Sequence, residues 1–284
     1  MKRTTLLAAL IAASLPFSAL AHKQWLLPSA TVVAGNDAWV TVDAAVSNQL
    51  YYPDHVPMRL DNVSIAAPDG STLPPQNPAT GKYRSVFDVP LAQEGTYRIA
   101  NLNRGLSARW DTPESLAAAK DKPAAGGMGG ARGGFLRNAT AEDLATKIPK
   151  NAQNLQVTEG IGRVETFVTK GKPSTVAATG TGLELVPVTH PNDLFAGEEA
   201  TFKLVVDGQP ASGLEVEIVR GATRYRNAQD EIKVTTGADG SFKVTWPEPG
   251  MYWLETSTSD GKTSTPQARQ RRLSYVATLE VLPQ

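Results

Sequence analysis

The fold of this chain is decided by the stretch Ser241-Phe242-Lys243-Val244-Thr245-Trp246-Pro247-Glu248-Pro249-Gly250-Met251-Tyr252-Trp253-Leu254. It joins two runs rich in β-branched and aromatic residues through a turn of proline and glycine, which is typical of neighbouring antiparallel strands. The same order recurs between residues 86 and 99, where a strand ends at Pro90 and Gly95 precedes an aromatic strand. In a β-sandwich the glycine makes the tight turn, and the tyrosine after it packs near the end of the next strand. The repeat therefore predicts two domains of one kind.

The C-terminal part of the chain contains seven short candidate strands with regular turn signals between them. They cover residues 183–188, 200–206, 214–219, 231–235, 241–246, 251–256 and 274–281. Asp207-Gly208 and Ala238-Asp239-Gly240 lie between pairs of these strands, and Asp-Gly is a favoured hairpin turn. The number and spacing of the strands predict a β-sandwich of immunoglobulin or transthyretin type.

The first half shows a similar pattern with less regular turns. Its candidate strands cover residues 38–42, 63–66, 83–89, 95–100 and 164–169. The predicted fold is therefore all-β, with two tandem immunoglobulin- or transthyretin-like β-sandwich domains. The N-terminal domain is predicted over residues 22–180 and the C-terminal domain over residues 181–284, with a linker within residues 170–182. Three tryptophans that lie within strand patterns are expected in the cores: Trp39, Trp246 and Trp253.

An insertion with helical and glycine-rich parts is predicted at residues 105–160. Residues 115–120 and 140–147 have helical character, and Thr140 followed by Asp143 resembles a capping box at the start of the second helix. Residues 126–134 are too rich in glycine to hold one shape. Because this stretch lacks the Lys-Ser/Thr pair of a phosphate-binding loop, we interpret it as a flexible surface loop.

Residues 1–21 have the order of a secretory signal peptide. Lys2 and Arg3 are followed by an apolar run over residues 6–20 and by the small-x-small site Ala19-Leu20-Ala21. The alternative is a membrane anchor, but the run is shorter than the ~20 residues that a spanning helix needs, and no charged cluster follows it. We therefore predict cleavage after Ala21, export to the periplasm, and a mature chain that begins at His22 and does not span the membrane.

Composition limits the chemistry that the chain can carry. The 284 residues contain 28 Lys and Arg against 28 Asp and Glu, with no cysteine and three histidines. The balanced charge argues against nucleic acid as a partner, because nucleic-acid binding usually requires a basic excess. The lack of cysteine excludes thiolate metal sites and cysteine catalysis. The sequence contains no Gly-x-Ser-x-Gly motif, which disfavours serine hydrolysis.

Cleavage after Ala21 would make His22 a candidate metal ligand. Its free α-amine and its imidazole can chelate one ion, and a second histidine would complete a three-nitrogen site for nickel, cobalt or copper. His55 is the candidate partner, in the aromatic and proline-rich loop over residues 51–57, with Asp54 as a ligand or an orienting group. The alternative is that His22 is only the point where cleavage falls and that His55 packs in its loop.

His190 is the remaining histidine and a further candidate ligand. It lies in Thr189-His190-Pro191-Asn192-Asp193, just after the first predicted strand of the C-terminal domain. Asn192-Asp193 suits a turn. The position therefore favours a structural hydrogen bond across the domain interface over a metal ligand.

Several segments together resemble one known family. The predicted mature chain opens on His22-Lys23-Gln24-Trp25-Leu26-Leu27-Pro28, residues 183–194 open the C-terminal domain, and residues 236–242 and 249–254 follow. This combination is similar to the DUF4198 family of bacterial exported proteins, over nearly all of the mature chain. The resemblance implies tandem β-sandwich domains, a periplasmic location and a link to nickel or cobalt uptake, a label that members often carry. It carries over no established ligand or catalytic residues, and residues 126–134 do not match the family's pattern.

The favoured interpretation is a non-enzymatic periplasmic binding protein for a divalent transition metal or its chelate, accessory to an uptake transporter. The alternative is an immunoglobulin-like interaction module that binds an envelope protein or a glycan without metal. A copper oxidase that uses His22 is a third hypothesis, which the few histidines and the lack of an acid–base pair disfavour. Imidazoles of His22 and His55 within about 5 Å of each other would favour a shared metal, and imidazoles on opposite faces would favour the interaction module.

Overall fold

Strands dominate the computed structural model, which describes residues 22–120 and 133–284. The predicted signal peptide and residues 126–132 of the glycine-rich stretch lie outside these ranges. The strands of the first half are β1 (Lys23–Pro28), β2 (Val32–Val33), β3 (Trp39–Ser47), β4 (Val56–Pro57), β5 (Val63–Ala66), β6 (Thr72–Leu73), β7 (Gln76–Thr80), β8 (Ser85–Pro90), β9 (Gly95–Asp111), β10 (Gly134–Ala139) and β11 (Gln153–Lys170). Two short helices, α1 (Pro113–Lys120) and α2 (Ala141–Lys147), lie between β9 and β11.

The second half is built from strands and one short turn of 3₁₀-helix. Its strands are β12 (Leu183–Pro187), β13 (Glu199–Val206), β14 (Gln209–Pro210), β15 (Glu215–Arg220), β16 (Ile232–Thr235), β17 (Ser241–Thr245), β18 (Gly250–Asp260) and β19 (Gln270–Val281). The 3₁₀-turn spans Thr223–Tyr225, between β15 and β16. All seven strands predicted in this half correspond to observed strands.

The strands form three sheets in which a large central sheet is shared by both halves. The central sheet has ten strands, with β16-β15-β18-β19-β11-β9-β5-β6 along its length and β10 and β2 at its sides. A five-stranded sheet of β1, β3, β4, β7 and β8 belongs to the first half. A four-stranded sheet of β12, β13, β14 and β17 belongs to the second half. The molecule is therefore a pair of β-sandwiches that use one sheet in common, as the all-β prediction requires.

Two apolar cores lie on opposite faces of the central sheet. Successive side chains of a strand point to opposite faces, so Trp253 packs in the first core and Leu254 in the second. The first core also takes Val219 and Val276 from the second half, and the second core takes Phe167 from the first half. Each half thus completes the core of the other. The boundary at residues 180 and 181 stays a prediction, because both cores draw on both sides of it.

The joint between the halves is the parallel pairing of β11 with β19. It runs from Thr158 opposite Gln270 to Thr166 opposite Thr278. The sequence predicted only a short strand over residues 164–169 here, whereas β11 has 18 residues. Residues 164–169 lie within the continuously buried part of the strand, and pairing with β9 and β19 extends it on the N-terminal side.

The internal repeat has the same geometry in both halves. Gly95 and Gly250 begin strands with φ of 131° and 139°, a region that glycine adopts readily. A Cβ on Gly95 would lie 2.6 Å from Cβ of Pro68, so the position also requires close approach. The hydroxyl of Tyr97 donates to the carbonyl of Gln93, and that of Tyr252 donates to the carbonyl of Glu248, four residues earlier in each case. Such a tyrosine corner is typical of immunoglobulin-like sandwiches.

The insertion is partly helical, as predicted. At the start of α2, the amide of Asp143 donates to Oγ1 of Thr140 at 3.1 Å and a carboxylate oxygen of Asp143 accepts from the amide of Thr140 at 2.9 Å, which completes a capping box. Leu144 of α2 is buried against strands β9 and β11 in a small third core with Trp110, Val157 and Ala268. Among the described residues, no helix combines the length and the hydropathy needed to cross a bilayer.

The expectation for Trp39 is wrong. Its side chain is 47% exposed, whereas Val40 and Val42 are buried. Because side chains alternate along a strand, Trp39 and Thr41 point away from the core. The indole Nε1 of Trp39 donates to Asp37 at 3.1 Å instead. Trp246 and Trp253 lie in the cores, as predicted.

Candidate functional site

His22 and His55 meet at one end of β3. Lys23 is paired with Ser47 at the end of this strand, so His22 lies just beyond it. On the other side of β3, Val56 is paired with Val46, which places His55 beyond the same end. The two imidazole rings stack with their centroids 4.0 Å apart and their planes 13° from parallel, and both residues are exposed. The structure thus brings together the two histidines that the sequence singled out.

The loop before His55 is folded tightly against β3. The amide of Tyr52 donates to the carbonyl of Gln49 at 3.2 Å, and Tyr51 has a left-handed backbone with φ of 59°. Oδ1 of Asp54 accepts from the amide of Asn48 at 2.7 Å. Asp54 therefore closes the loop that presents His55, and its exposed carboxylate lies one residue before that histidine.

The imidazole nitrogens of the stacked pair do not point towards one common position. Imidazole lone pairs lie in the ring planes, so two nearly parallel rings direct them side by side. Rotation of one exposed ring about its Cβ–Cγ bond would turn the two donors towards one point. Within residues 22–120 and 133–284, no group of three or more His, Cys, Asp or Glu side chains has metal-binding geometry. A third nitrogen would therefore be the α-amine of His22, which exists only after cleavage at Ala21.

The residues that follow His22 in β1 contact the second half of the molecule. Nζ of Lys23 lies 4.1 Å from the ring centroid of Trp253 and 3.8 Å from a carboxylate oxygen of Glu217. The indole Nε1 of Trp253 donates to the carbonyl of Gln24 at 2.9 Å. Glu255 lies directly opposite Glu217 on the neighbouring strand, and burial raises its pKa. These contacts hold the start of β1 over the shared sheet.

A second contact joins the loop of His55 to the 3₁₀-turn of the second half. The phenolic oxygens of Tyr52 and Tyr225 are 2.8 Å apart, and the Arg224 guanidinium carbon lies 4.6 Å from the centroid of the Tyr52 ring. Hydrogen bonds from Tyr225 and Arg224 lower the pKa of Tyr52, and the contact with Tyr52 raises the pKa of Tyr225. Tyr225 is nevertheless 76% exposed. We call Tyr52, Arg224 and Tyr225 the tyrosine–arginine platform.

The backbone under the platform is held by hydrogen bonds and contains one strained residue. Ala222, just before the 3₁₀-turn, has a left-handed φ of 59°, which is unfavourable for a residue with a side chain. One guanidinium nitrogen of Arg226 donates to the carbonyls of Arg220 and Gln229 at 2.8 Å and 3.0 Å. Gly221 lets the two halves approach, because a Cβ there would lie 3.0 Å from the ring of Tyr51.

His190 lies apart from the histidine pair and is held by hydrogen bonds. Its Nε2 is 2.9 Å from Oγ1 of Thr96 and 3.2 Å from the carbonyl oxygen of Ser174, and its Nδ1 accepts from the amide of Asn192 at 3.2 Å. Burial lowers its pKa. Contact with Thr96 joins the two halves, as the structural interpretation of His190 expects.

A separate ionic cluster lies buried beside the four-stranded sheet. It consists of Arg98, Arg163, Glu165, Glu184 and Tyr275, and all five are nearly inaccessible to solvent. Glu165 accepts from Nε of Arg98 at 2.8 Å and from the hydroxyl of Tyr275 at 2.5 Å. Glu184 accepts from the amide and the hydroxyl of Thr179, both at 2.8 Å. The charged groups of the cluster are paired with one another, and their hydrogen bonds to residues 177–179 hold the segment that joins the two halves.

Sequence reasoning did not single out Arg224 and Tyr225. They lie in an irregular segment between β15 and β16, and neither the spacing nor the composition there indicates contact with residues 49–55. Tyr52 falls only within the aromatic and proline-rich loop over residues 51–57. A pairing of residues 173 positions apart has no local signal in a single sequence.

The model of the family described as a domain of unknown function, DUF4198, matches residues 19–260, and the chain belongs to this family. No curated protein sequence matches the chain. Similar solved structures include the D0-D1 domain of intimin, at 11% identity and a TM-score of 0.21 over 90% of this chain and 97% of that one. The human OSCAR ligand-binding domain has 13% identity and a TM-score of 0.20 over 92% and 100%. Latent PorU from Porphyromonas gingivalis has 12% identity and a TM-score of 0.21 over 92% and 20%. At these TM-scores the likenesses carry no argument, and the fold rests on the observed sheets.

Proposed function

We propose that this DUF4198 member is an exported, non-enzymatic binding protein that holds one divalent transition metal ion at His22 and His55 and serves an uptake system. The observation that carries the proposal is the 4.0 Å separation of the two imidazole rings, which lie far apart in sequence. The nickel or cobalt uptake label often given to the family agrees with it in chemistry. Location in the periplasm follows from the signal-peptide pattern of residues 1–21.

Export and binding are linked through the cleavage site. Cleavage after Ala21 would turn the amide nitrogen of His22 into an amine, which can bind a metal together with the imidazole of the same residue. His55 would add a third nitrogen from its loop. Nitrogen ligands without thiolate favour Ni²⁺, Co²⁺ and Cu²⁺ over Ca²⁺ and Mg²⁺, which prefer oxygen.

In this proposal Asp54 orients the loop of His55 and does not contact the metal ion. Its hydrogen bond to the amide of Asn48 fixes the loop that presents His55. Groups that orient a ligand typically change metal affinity by about 10- to 100-fold when they are removed. Asp54→Ala removes this acceptor and is therefore expected to weaken binding about tenfold while leaving the stoichiometry at one ion.

Calorimetric titration of the protein that begins at His22 tests the proposal. One saturable site for Ni²⁺, Co²⁺ or Cu²⁺ is expected, weakened at least about 100-fold by His22→Ala and by His55→Ala, because each change removes an imidazole that would bind the ion directly. His190→Gln is the matched control, since it removes a histidine outside the pair. No saturable binding, or equal binding by the His22→Ala protein, would contradict the proposal.

The second candidate is an interaction module that binds an envelope protein. The observation that favours it is an apolar cleft of about 490 Å³ on the insertion, lined by Leu144, Ile148 and Leu155 together with Gln267 and Arg269. The side chain of Leu155 is 46% exposed there. Replacing Leu155 with serine should weaken capture of a partner in this case and leave metal titrations unchanged.

A further inference from the structure

A cavity of about 220 Å³ opens on the central sheet beside the buried ionic cluster. Strands β9 and β11 line it with two opposed pairs of residues, Leu102 with Arg163 and Arg104 with Ile161. Residues that are opposite each other, or two apart on one strand, point to the same face of a sheet. The four side chains therefore share one face, and residues 179–183 of the segment that joins the two halves form another wall of the cavity.

Arg163 carries hydrogen-bond donors that the protein does not use. The residue is only 7% exposed. Its Nη2 donates to Oγ1 of Thr179 at 2.8 Å and to the carbonyl of Thr181 at 3.3 Å. A guanidinium has five N–H donors, and those on Nε and Nη1 of Arg163 have no hydrogen-bond acceptor among the described residues. Because Arg163 lines the cavity, these donors are available to a molecule bound there.

The charge at this cavity is positive. Glu165 and Glu184 each lie 3.6 Å from Arg163, and each also forms an ion pair with Arg98. Two guanidinium groups thus balance two carboxylates within the cluster. Arg104 adds a further positive charge, since it forms no ion pair within residues 22–120 and 133–284, and no described residue that lines the cavity is Asp or Glu. Such a surplus attracts an anion, and guanidinium groups match the geometry of a carboxylate.

The size and the apolar walls of the cavity favour a compact organic molecule. Leu102, Ile161 and Leu183 line it together with the two arginines. A cavity of about 150 Å³ is sufficient for benzene, so about 220 Å³ accommodates a molecule of that size with one carboxylate. Arg104 and Arg163 are diagonal neighbours across β9 and β11, and residues in this relation lie about 7–8 Å apart. One such molecule can therefore contact both guanidinium groups.

We propose that this cavity binds a small organic acid with a compact apolar body. The carboxylate of the acid accepts hydrogen bonds from Arg163 and pairs with Arg104, and its apolar body packs against Leu102, Ile161 and Leu183. The site uses none of the residues proposed to bind the metal ion, so it is a second binding site that functions independently of the first.

Benzoate is the probe that tests the inference, with benzyl alcohol as its neutral counterpart and inorganic phosphate as an anion without an apolar body. Each compound is titrated into the protein that begins at His22, and two-dimensional NMR follows the amide signals of residues 102–104, 161–163 and 179–183. Benzoate should shift these signals saturably. It should bind at least about tenfold more tightly than either of the other compounds, because it alone supplies both a carboxylate and an apolar surface.

Two substitutions test the assigned contacts. Arg104→Gln should weaken benzoate binding about fivefold, as an exposed charge-assisted contact allows. Arg109→Gln is the matched control and should leave the affinity unchanged, because Arg109 is exposed on the same strand but does not line the cavity. Leu102 is 38% exposed and tolerates a polar side chain. Leu102→Asp places a carboxylate opposite Arg163 and should weaken benzoate binding more than Leu102→Asn does.

The inference would be overturned by the lack of saturable benzoate binding at these residues, or by equal benzoate binding with and without Arg104→Gln. Benzyl alcohol or phosphate binding as tightly as benzoate would also contradict it, since the site would then recognise only an apolar body or only a charge. His22→Ala should leave benzoate binding unchanged, so a failure of the metal proposal is distinguishable from a failure here. Circular dichroism and thermal unfolding confirm that each variant is folded.

Discussion

Two polar clusters connect the halves of this molecule, and they are built in opposite ways. The ionic cluster around Glu165 is buried, and its carboxylates and guanidinium groups have partners inside the protein. The histidine pair and the tyrosine–arginine platform are exposed, with stacked imidazoles and a guanidinium without a carboxylate partner among the described residues. Polar groups that are satisfied within the fold stabilise it. Polar groups left open at the surface remain available to a ligand.

The largest expected effect lies in the buried cluster. Glu165→Ala leaves the guanidinium of Arg98 buried without its closest partner, and breaking a buried ion pair in this way typically costs about 3–5 kcal/mol. Urea unfolding measures the change. Glu199→Gln is the control, because it breaks the exposed pair with Lys243 and should cost less than about 1 kcal/mol. Equal losses in the two variants would remove the distinction between the clusters.

The second effect concerns the histidine pair and leaves stability unchanged. A protein that begins at His22 with its α-amine acetylated has an amide in place of the amine and loses one predicted ligand. We expect about 100-fold weaker metal binding, which corresponds to about 2.7 kcal/mol. Competitive titration against a chromophoric chelator measures it, and urea unfolding without metal should be the same for both forms. Equal metal affinities would show that the amine is not a ligand.

A smaller effect distinguishes His190 from the exposed histidines. Burial lowers its pKa in the folded state, so the unfolded chain binds the proton more readily. The contribution of His190 is therefore complete above the ordinary histidine pKa of about 6.5 and is lost as the pH falls from there through the lowered value. Urea unfolding at pH 7.5 and 5.5 should show a steeper loss for the native protein than for His190→Gln. An equal loss of unfolding free energy between pH 7.5 and 5.5 in the two proteins would contradict the lowered pKa of His190.

The smallest effect is confined to the platform. Hydrogen bonds from Tyr225 and Arg224 lower the pKa of Tyr52, so its phenol should ionise below the ordinary value of about 10. Tyr225→Phe removes the first of these hydrogen bonds and should move the pKa of Tyr52 upward. NMR titration of tyrosine ring signals measures both values, with Tyr52→Phe to assign the resonance. An unchanged pKa would show that the two hydroxyls do not interact in solution.

Local pattern was sufficient for most strands, and residue chemistry was sufficient for the contact between His22 and His55. The turn at Gly250, the tyrosine after it and the capping box at Thr140 are short-range features, and the structure contains each of them. The pairing of His22 with His55 was predicted from donor chemistry and from their place in one domain. This prediction did not depend on the order of strands in the sheets, because it used only the residue types.

Long-range pairing was beyond the reach of the sequence. The sequence of residues 164–169 does not indicate a parallel pairing with β19. Hydrophobic periodicity indicates which side chains of a strand are buried, but it does not indicate which strand lies beside it. The prediction that Trp39 is buried was wrong for a related reason. A period of two shows that side chains alternate between two faces of the strand, but it does not show which face is buried. Arg224 and Tyr225 depend on the same unseen contact between the halves.

The continuous central sheet also restricts how the molecule can move. Opening the two sandwiches like a clamshell would require the nine residue pairs from Thr158–Gln270 to Thr166–Thr278 to separate, and both cores would lose residues that the other half supplies. Within the part of the chain that the structure describes, the shared sheet and the two cores therefore oppose a hinge motion between the halves. A ligand at the end of β3 would be loaded and handed on by exchange at an open surface, at a rate set by its own coordination bonds.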